Sequence, residues 1–323
     1  MNGLAAAFDT CAVADRSELS RLIGTGRDLL ALLHRLSTND LLKLQPGEGA
    51  PTVLTSAKGR IVERLFVHHL GADGILLVAG AGAGPRVLSH LKKFTFAEET
   101  GLTDQTAETF AFALIGPRWA KAGQAAGLAA LPPYGAATAE LSGARVHVLR
   151  TNGFDAEGLL IVGPGQSADR VRAALAAAAA AEGGGEIDRD EFEAWRILTA
   201  RPGFGHELTE EYNPLEAGLR DAISFTKGCY VGQEVVARLN TYDKVSRAVV
   251  RFTLSAGDPV PEKGAAVLHE GRAVGTVTSA ILPPGRVAPV GLAYVKVREV
   301  PAGVPTVNID DRGTLRPAGL IRA

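Results

Sequence analysis

The sequence predicts an α+β protein that ends in a separate, small all-β domain. Through about residue 246, short apolar runs with strand-type alternation take turns with leucine- and alanine-rich stretches at helical spacing. From Ala248 onward only the strand pattern remains, with Val250, Phe252 and Leu254 on one face and Arg251 and Thr253 on the other. Prolines at 259, 261, 283, 284 and 288 keep those strands short, as suits a small barrel or sandwich. The chain's 323 residues are enough for two or three domains with buried cores.

Taken in order, residues 27–36 put Leu29, Leu32, Leu33 and Leu36 at helical spacing, with Arg27, Asp28 and Arg35 elsewhere on the wheel. Residues 37–40, Ser-Thr-Asn-Asp, have short polar side chains that bond to nearby backbone and end a helix or shape a turn. Residues 51–56 and 61–68 form a hairpin pair around Lys58-Gly59, and 74–78 is the next strand. Residues 80–85, with Glu98 downstream, have the outline of a dinucleotide-binding turn, but Pro85 stands where a third glycine belongs, so a plain strand-to-helix turn is expected. A second unit of the same kind follows: strand 110–115, turn Gly116-Pro117, helix 118–128. Residues 145–150 and 159–162 pair across Asn152-Gly153. Residues 173–181, nearly all alanine, predict a surface helix, followed by a flexible Gly183-Gly184-Gly185 joint. Asp188 and Glu191 have the form of a capping box for a helix through Leu198, which Pro202-Gly203 stops. In the last domain, 265–269 and 272–282 flank Glu270-Gly271 as a hairpin, and 291–297 alternates again.

A formal net charge of -1 provides no global field for nucleic acid or acidic membranes, so no direct nucleic-acid binding is expected. The first nine residues lack a basic region and their apolar run is cut by Asp9, and no stretch approaches a membrane span, so no membrane partner is expected. The only cysteines, Cys11 and Cys229, are far apart, which excludes a disulfide scaffold and a CxxC metal knuckle. A reducing cytoplasm fits this usage, and no metal site is expected.

Residues 225–234, Phe-Thr-Lys-Gly-Cys-Tyr-Val-Gly-Gln-Glu, crowd a thiol, an ammonium, a phenol, an amide and a carboxylate into ten positions. Gly228 and Gly232 permit backbone angles that a side chain blocks, so the stretch reads as a shaped loop. Two readings of Cys229 stand on the residues alone: a small buried hydrophobe, or an accessible nucleophile whose thiolate Lys227 stabilises by folding back. Gln233 and Glu234 are expected to fix the loop by hydrogen bonds.

The run Lys227-Gly228-Cys229-Tyr230-Val231-Gly232-Gln233-Glu234 resembles the signature of the YgfZ family, folate-binding proteins related to the glycine cleavage T-protein, an aminomethyltransferase. The likeness extends over nearly the whole chain, through residues 33–40, 59–61, 115–117, Arg196-Ile197 and 275–279. It implies a three-domain ring around a folate-sized cavity, closed by a C-terminal β-barrel. The domains implied are 1–47 with 139–205, 48–138 with 206–246, and the barrel 247–323. The implied cofactor is tetrahydrofolate or a derivative. The implied role is an accessory factor for assembly or repair of iron–sulfur enzymes, including those that modify tRNA, with such enzymes or assembly factors as partners. The alternative is a folate-dependent aminomethyltransferase or demethylase, and a third reading is a scaffold that no longer binds folate.

The sequence departs from the T-protein pattern where an aspartate pair becomes Glu63-Arg64, and where Arg196 is kept but the following carboxylate is lost. A Gly-Tyr-Thr-Gly-Glu segment corresponds to residues 153–157. A reduced pterin presents adjacent N–H donors that a carboxylate accepts in parallel, and its glutamate tail needs cations. The resemblance therefore nominates Glu157 as the carboxylate, Arg196 as a cation, and Asn39 and Tyr230 as further folate contacts, with Cys229 and Lys227 as the reactive pair. Each has a plain counterpart: a solvated glutamate, a helix-end arginine, a capping asparagine.

Overall fold

A computed structural model describes residues 3–151, 157–242, 244–300, 304, 306–311 and 314–322. The chain forms two compact units, one of Met1–Lys58, Val62–Arg189 and Asp221–Gln233, the other of Gly59–Ile61, Asp190–Arg220 and Glu234–Ala323.

The first unit runs α1 (Gly3–Asp9), β1 (Ala12–Asp15), β2 (Leu19–Thr25), α2 (Leu29–Leu36), β3 (Gly49–Thr55), β4 (Ile61–His69), β5 (Ile75–Ala81), α3 (Gly84–Lys92) and β6 (Gly101–Asp104). It continues with β7 (Thr109–Ile115), α4 (Trp119–Ala125), β8 (Ala136–Leu141), β9 (Ala144–Thr151), β10 (Gly158–Pro164), α5 (Ala168–Ala181) and β11 (Gly185–Ile187). One sheet has the order β11-β1-β7-β10-β9-β8 and the other β3-β4-β5-β2-β6. The two halves repeat one element order, strand-helix-three strands-helix-strand, starting at β2 and at β7. Each opens its first helix after a glycine of positive φ, Gly26 at 100° and Gly116 at 98°. A Cβ on Gly26 would stand 2.0 Å from the Glu99 carbonyl oxygen, so close approach as well as dihedral demands glycine there.

Helices cover one face of each sheet. Leu29, Leu32, Leu33 and Leu36 of α2 are buried with Leu22, Leu65, Leu77, Val87 and Leu91, and each contributes about 1.5–3 kcal/mol by leaving water. Leu114, Val146, Val148 and Ile161 face Val171, Leu175 and Ala179 of α5. The uncovered faces meet each other: Arg21 Nε donates to Thr109 Oγ1 at 2.8 Å, and the Phe66 and Tyr134 rings lie 6.0 Å apart.

Three expectations are corrected. The alanine-rich α5 is not wholly a surface helix, because Val171, Leu175, Ala178 and Ala179 form a buried stripe. The triple glycine is not a flexible joint: Gly185 opens β11, which pairs in parallel with β1, and a Cβ on Gly184 would stand 2.0 Å from the Cys11 carbonyl oxygen. Gln233 and Glu234 are not loop residues but open a helix, α7.

The second unit carries α6 (Arg189–Leu198), α7 (Gln233–Thr241) and a closed barrel of β12 (Arg247–Thr253), β13 (Ala266–His269), β14 (Arg272–Ile281), β15 (Val290–Lys296), β16 (Thr306–Asp311) and β17 (Thr314–Arg322). The expected C-terminal barrel is present, in the order β12-β15-β14-β13-β16-β17. Val250, Phe252, Val267, Val277, Val295 and Ile309 fill it. No described helix is long and apolar enough to cross a membrane.

Candidate functional site

Residues 221–233 are a loop held on the turn that ends α2. Thr38 is its main fastening: its hydroxyl donates to the Ala222 carbonyl at 2.6 Å and its own carbonyl accepts Ser224 N–H at 2.9 Å. Asn39 Nδ2 donates to Pro51 O at 2.8 Å and Asp221 O at 3.4 Å, and its Oδ1 accepts Asp40 N–H at 2.9 Å. Thr55 Oγ1 reaches Val231 O at 2.5 Å, and Val231 packs on the α2 core. Gly232 turns the chain at φ 82°, and Gln233 Nε2 lies 3.5 Å from Gly228 O. A Cβ on Gly228 would touch nothing within 4 Å, so among the described residues no steric reason requires that glycine.

Lys227 does not fold back toward Cys229 as expected. Its Nζ donates to the carbonyls of His34, Ser37 at 2.7 Å and Asn39 at 2.9 Å, which uses all three ammonium protons. The ammonium caps the end of α2, where carbonyls lack helical partners. Burial pulls it down to about 8, with Asp40 opposing. Tyr230 is buried 5.1 Å from that Nζ, and burial pushes its phenol up to about 12. Cys229 is exposed on this anchored frame. Glu234 is exposed in the first turn of α7, where a carboxylate complements the helix dipole.

A second group continues from Asp221. Tyr134 Oη donates to Asp221 Oδ2 at 2.8 Å, and its phenol is pushed up by burial first and by Asp221 second. Tyr134 sits at φ 60°, a left-handed conformation unusual for a bulky side chain and held by its neighbours. The guanidinium of Arg64 lies 5.8 Å from the Phe66 ring centre, beside Tyr134. Arg150 binds Leu131 O and Gly135 O, from Nη1 and backbone N–H respectively, and reaches Glu157 Oε1 at 3.4 Å. Behind these, His68 is fully buried and pulled down to about 4 by burial, the Tyr134 backbone carbonyl opposing. Asn39, Asp221, Tyr134, Arg150 and Glu157 thus follow one another, with Phe66 and Arg64 buried behind Tyr134. Sequence reasoning missed Tyr134, Asp221, Phe66 and Arg150; the available signal was an aromatic set in Pro132-Pro133-Tyr134-Gly135.

Glu63 is almost fully buried, accepting from Arg86 Nη2 and from Gly80 N–H at 3.3 Å. Burial pushes its carboxyl up, with Arg86 opposing. Arg196, nominated for the folate tail, belongs to the second unit, and its donors are spent within the protein. Nε and Nη2 grip Glu193, Nη1 bonds Arg201 O and Glu207, and Nη2 also bonds Ser279 at 2.9 Å. All five N–H groups are used, which leaves none for a ligand. Of the segment compared with Gly-Tyr-Thr-Gly-Glu, 153–156 lie outside the described residues and Glu157 is exposed. The 80–85 turn is the plain kind: Pro85 enters α3 at its first turn, and Glu98 is held by Arg35 at 2.6 Å.

Residues 4–227 match the GCVT N-terminal domain and 247–323 the glycine cleavage T-protein C-terminal barrel domain. The chain belongs to the glycine cleavage T-protein family. It is 31% identical, over 95% of its length and 71% of the other's, to a chloroplastic protein of Arabidopsis thaliana provisionally named a transferase. It is also 31% identical to the aminomethyltransferase of Geobacillus kaustophilus, over 95% of this chain and 85% of that one. The solved aminomethyltransferase T of Bartonella henselae shares the fold at TM-score 0.82 and 21% identity, covering 98% of this chain and 87% of its own.

The donor set of this T-protein relative suits a reduced folate. Glu157 has only Oε1 engaged among the described residues, and more than half of its side chain is exposed. It can accept from paired pterin donors, while half-buried Tyr134 provides ring surface, backed by the buried Phe66 ring and the buried positive charge of Arg64.

Proposed function

We propose that this chain is a folate-binding member of the T-protein family acting as an accessory factor, of the YgfZ type, for iron–sulfur enzymes, including those that modify tRNA, in a reducing cytoplasm. The observation that carries the proposal is the loop itself. Hydrogen bonds from Thr38, Asn39 and Lys227 fix a frame on which Cys229 stands exposed, beside exposed Phe225, Thr226 and Gly228. Such rigid anchoring of an accessible thiol suits docking or transient sulfur and iron exchange. A bound tetrahydrofolate supplies a one-carbon acceptor; Glu157 orients its pterin, and Tyr134 with Phe66 excludes water from one ring face. The acid pair of the T-protein pattern argues in the same direction: Glu63 is tied to Arg86, and Arg64 brings a cation to the second position.

Calorimetric titration with tetrahydrofolate tests the binding step. Binding that weakens about ten-fold in Glu157→Gln is expected, since a charge-assisted pair contributes roughly 1.5–3 kcal/mol. Cys229→Ala is expected to bind folate unchanged yet fail to restore iron–sulfur enzyme activity in cells lacking the protein. Full restoration by that variant removes the thiol from the function. A second reading, aminomethyl transfer, is favoured by the relatives named aminomethyltransferase. Formation of methylenetetrahydrofolate from an aminomethyl donor would establish it.

A further inference from the structure

Between the two sheets of the first unit lies a cavity of about 590 Å³, lined by none of the residues nominated above for folate. Its floor is apolar, from Ile23, Leu76 and Val162. One side carries Arg145 and His147 of β9, the other Glu108 of the turn between β6 and β7. The volume falls in the range of small-molecule sites, roughly 300–1,000 Å³.

The internal repeat gives this cavity meaning. Strands β5 and β10 correspond, since residues 74–80 and 158–164 share one glycine-then-aliphatic pattern. Phe66 pairs with Val78 of β5, and His147 pairs with Val162, the corresponding residue of β10. Counting back two residues on each strand, Arg64 corresponds to Arg145. The fold has therefore built a guanidinium beside a flat ring twice, once at the Tyr134 site and once in this cavity.

The cavity's polar groups have unspent capacity. Arg145 donates from Nη2 to Asp73 at 2.6 Å, and its side chain is otherwise largely exposed. His147 Nδ1 lies 3.3 Å from Thr138 Oγ1, so Nε2 is the nitrogen left for a ligand. The carboxylate of Glu108 has no hydrogen bond or ion pair among the described residues; only its backbone carbonyl is engaged, by Gly165 N–H. Asp104, by contrast, is turned to Thr106, and Arg21 beneath spends all five N–H groups on carbonyls and the Thr109 hydroxyl. Facing the space are the Arg145 guanidinium, with donors beyond its bond to Asp73, the unengaged Glu108 carboxylate and an apolar floor between them, with Asp104, Gln105 and Gln166 also on the wall.

We infer that this cavity is a second ligand site, distinct from the folate site, that takes a small zwitterion of the amino-acid or dipeptide class. Arg145 and His147 receive its carboxylate, Glu108 its ammonium, and Ile23, Leu76 and Val162 its side chain.

The test uses the full chain and a pool of the twenty amino acids with their glycyl dipeptides, screened by ligand-observed saturation-transfer NMR and followed by calorimetry of the strongest binder. At least one zwitterion binds, and its N-acetylated and its amidated forms each bind about ten-fold or more weakly. Glu108→Gln and Arg145→Gln each weaken binding by a similar factor, while tetrahydrofolate affinity stays unchanged. Glu108 is exposed and its carboxylate is unpaired among the described residues, so its variant keeps the fold even if Arg145→Gln, which also loses Asp73, does not. No binder in the pool, or equal affinity for the acetylated form, overturns the inference. So does loss of tetrahydrofolate affinity in Glu108→Gln, which would make the cavity the folate site.

Discussion

Replacing Lys227 with methionine keeps the aliphatic stem and removes the ammonium, so it isolates what that charge does. Three charge-assisted hydrogen bonds to carbonyls at the end of α2 contribute roughly 1.5–3 kcal/mol each, about 6 in all. Burial offsets part of this, pulling the ammonium from its ordinary 10.5 down to about 8. The carbonyls left without a donor add to the cost of removing it, so a loss of about 3 kcal/mol is expected in Lys227→Met. Urea unfolding followed by circular dichroism should show a lower midpoint with an unchanged slope. Because the same carbonyls belong to the turn carrying Thr38 and Asn39, the loop should also loosen, seen as faster alkylation of Cys229. A loss below about 1 kcal/mol with unchanged alkylation would falsify the view that Lys227 is a structural clasp and return it to the thiol.

His68 is held neutral by burial, with its value lowered from 6.5 to about 4. Its contribution is complete above pH 6.5 and is lost as the pH falls toward 4, a change of about 3 kcal/mol that His68→Leu should abolish in pH-dependent urea melts. Arg196→Met leaves Glu207, fully buried, without its cation, and a loss of about 3–5 kcal/mol is expected in thermal or chemical unfolding. Arg196→Lys should rescue little, because one ammonium cannot reproduce five forked donors; near-native stability in that variant would refute the network argument. Gly184→Ala forces a Cβ to within 2.0 Å of the Cys11 carbonyl oxygen, so a loss of about 2 kcal/mol or more is expected, and a neutral variant would show that β11 can shift.

Much of the fold was legible because local pattern and tertiary environment agree. The leucine spacing of α2, the apolar runs of β4, β5 and β7, and the hairpin of β13 and β14 each announce their own buried face. What escaped was short or polar. Strands β1 and β11 have four and three residues, too few to carry a period, and exist because they pair with each other and with β7. Strands β16 and β17 carry Asn308, Asp310, Arg316 and Pro317 and are defined by closing the barrel. The loop around Cys229 was recognisable from its crowding of functional groups, but the partner of Lys227 was not. Its acceptors are backbone carbonyls, which every residue has and no sequence marks.

By itself the sequence determined the α+β body, the barrel, the T-protein relationship and the place of the cysteine-bearing loop, because periodicity, glycine placement and a dense motif are local properties, while the exposure of Cys229 came from the structure. Only the tertiary structure decided what each charge is for. It spent Lys227 on the end of α2, Arg196 on Glu193 and Glu207, and Glu63 on Arg86, while Glu157 and Arg145 are only partly engaged and the Glu108 carboxylate is unengaged among the described residues. The reason is that a charge is committed or free according to which donors and acceptors the folded chain brings within about 3 Å, and those neighbours are mostly remote in sequence.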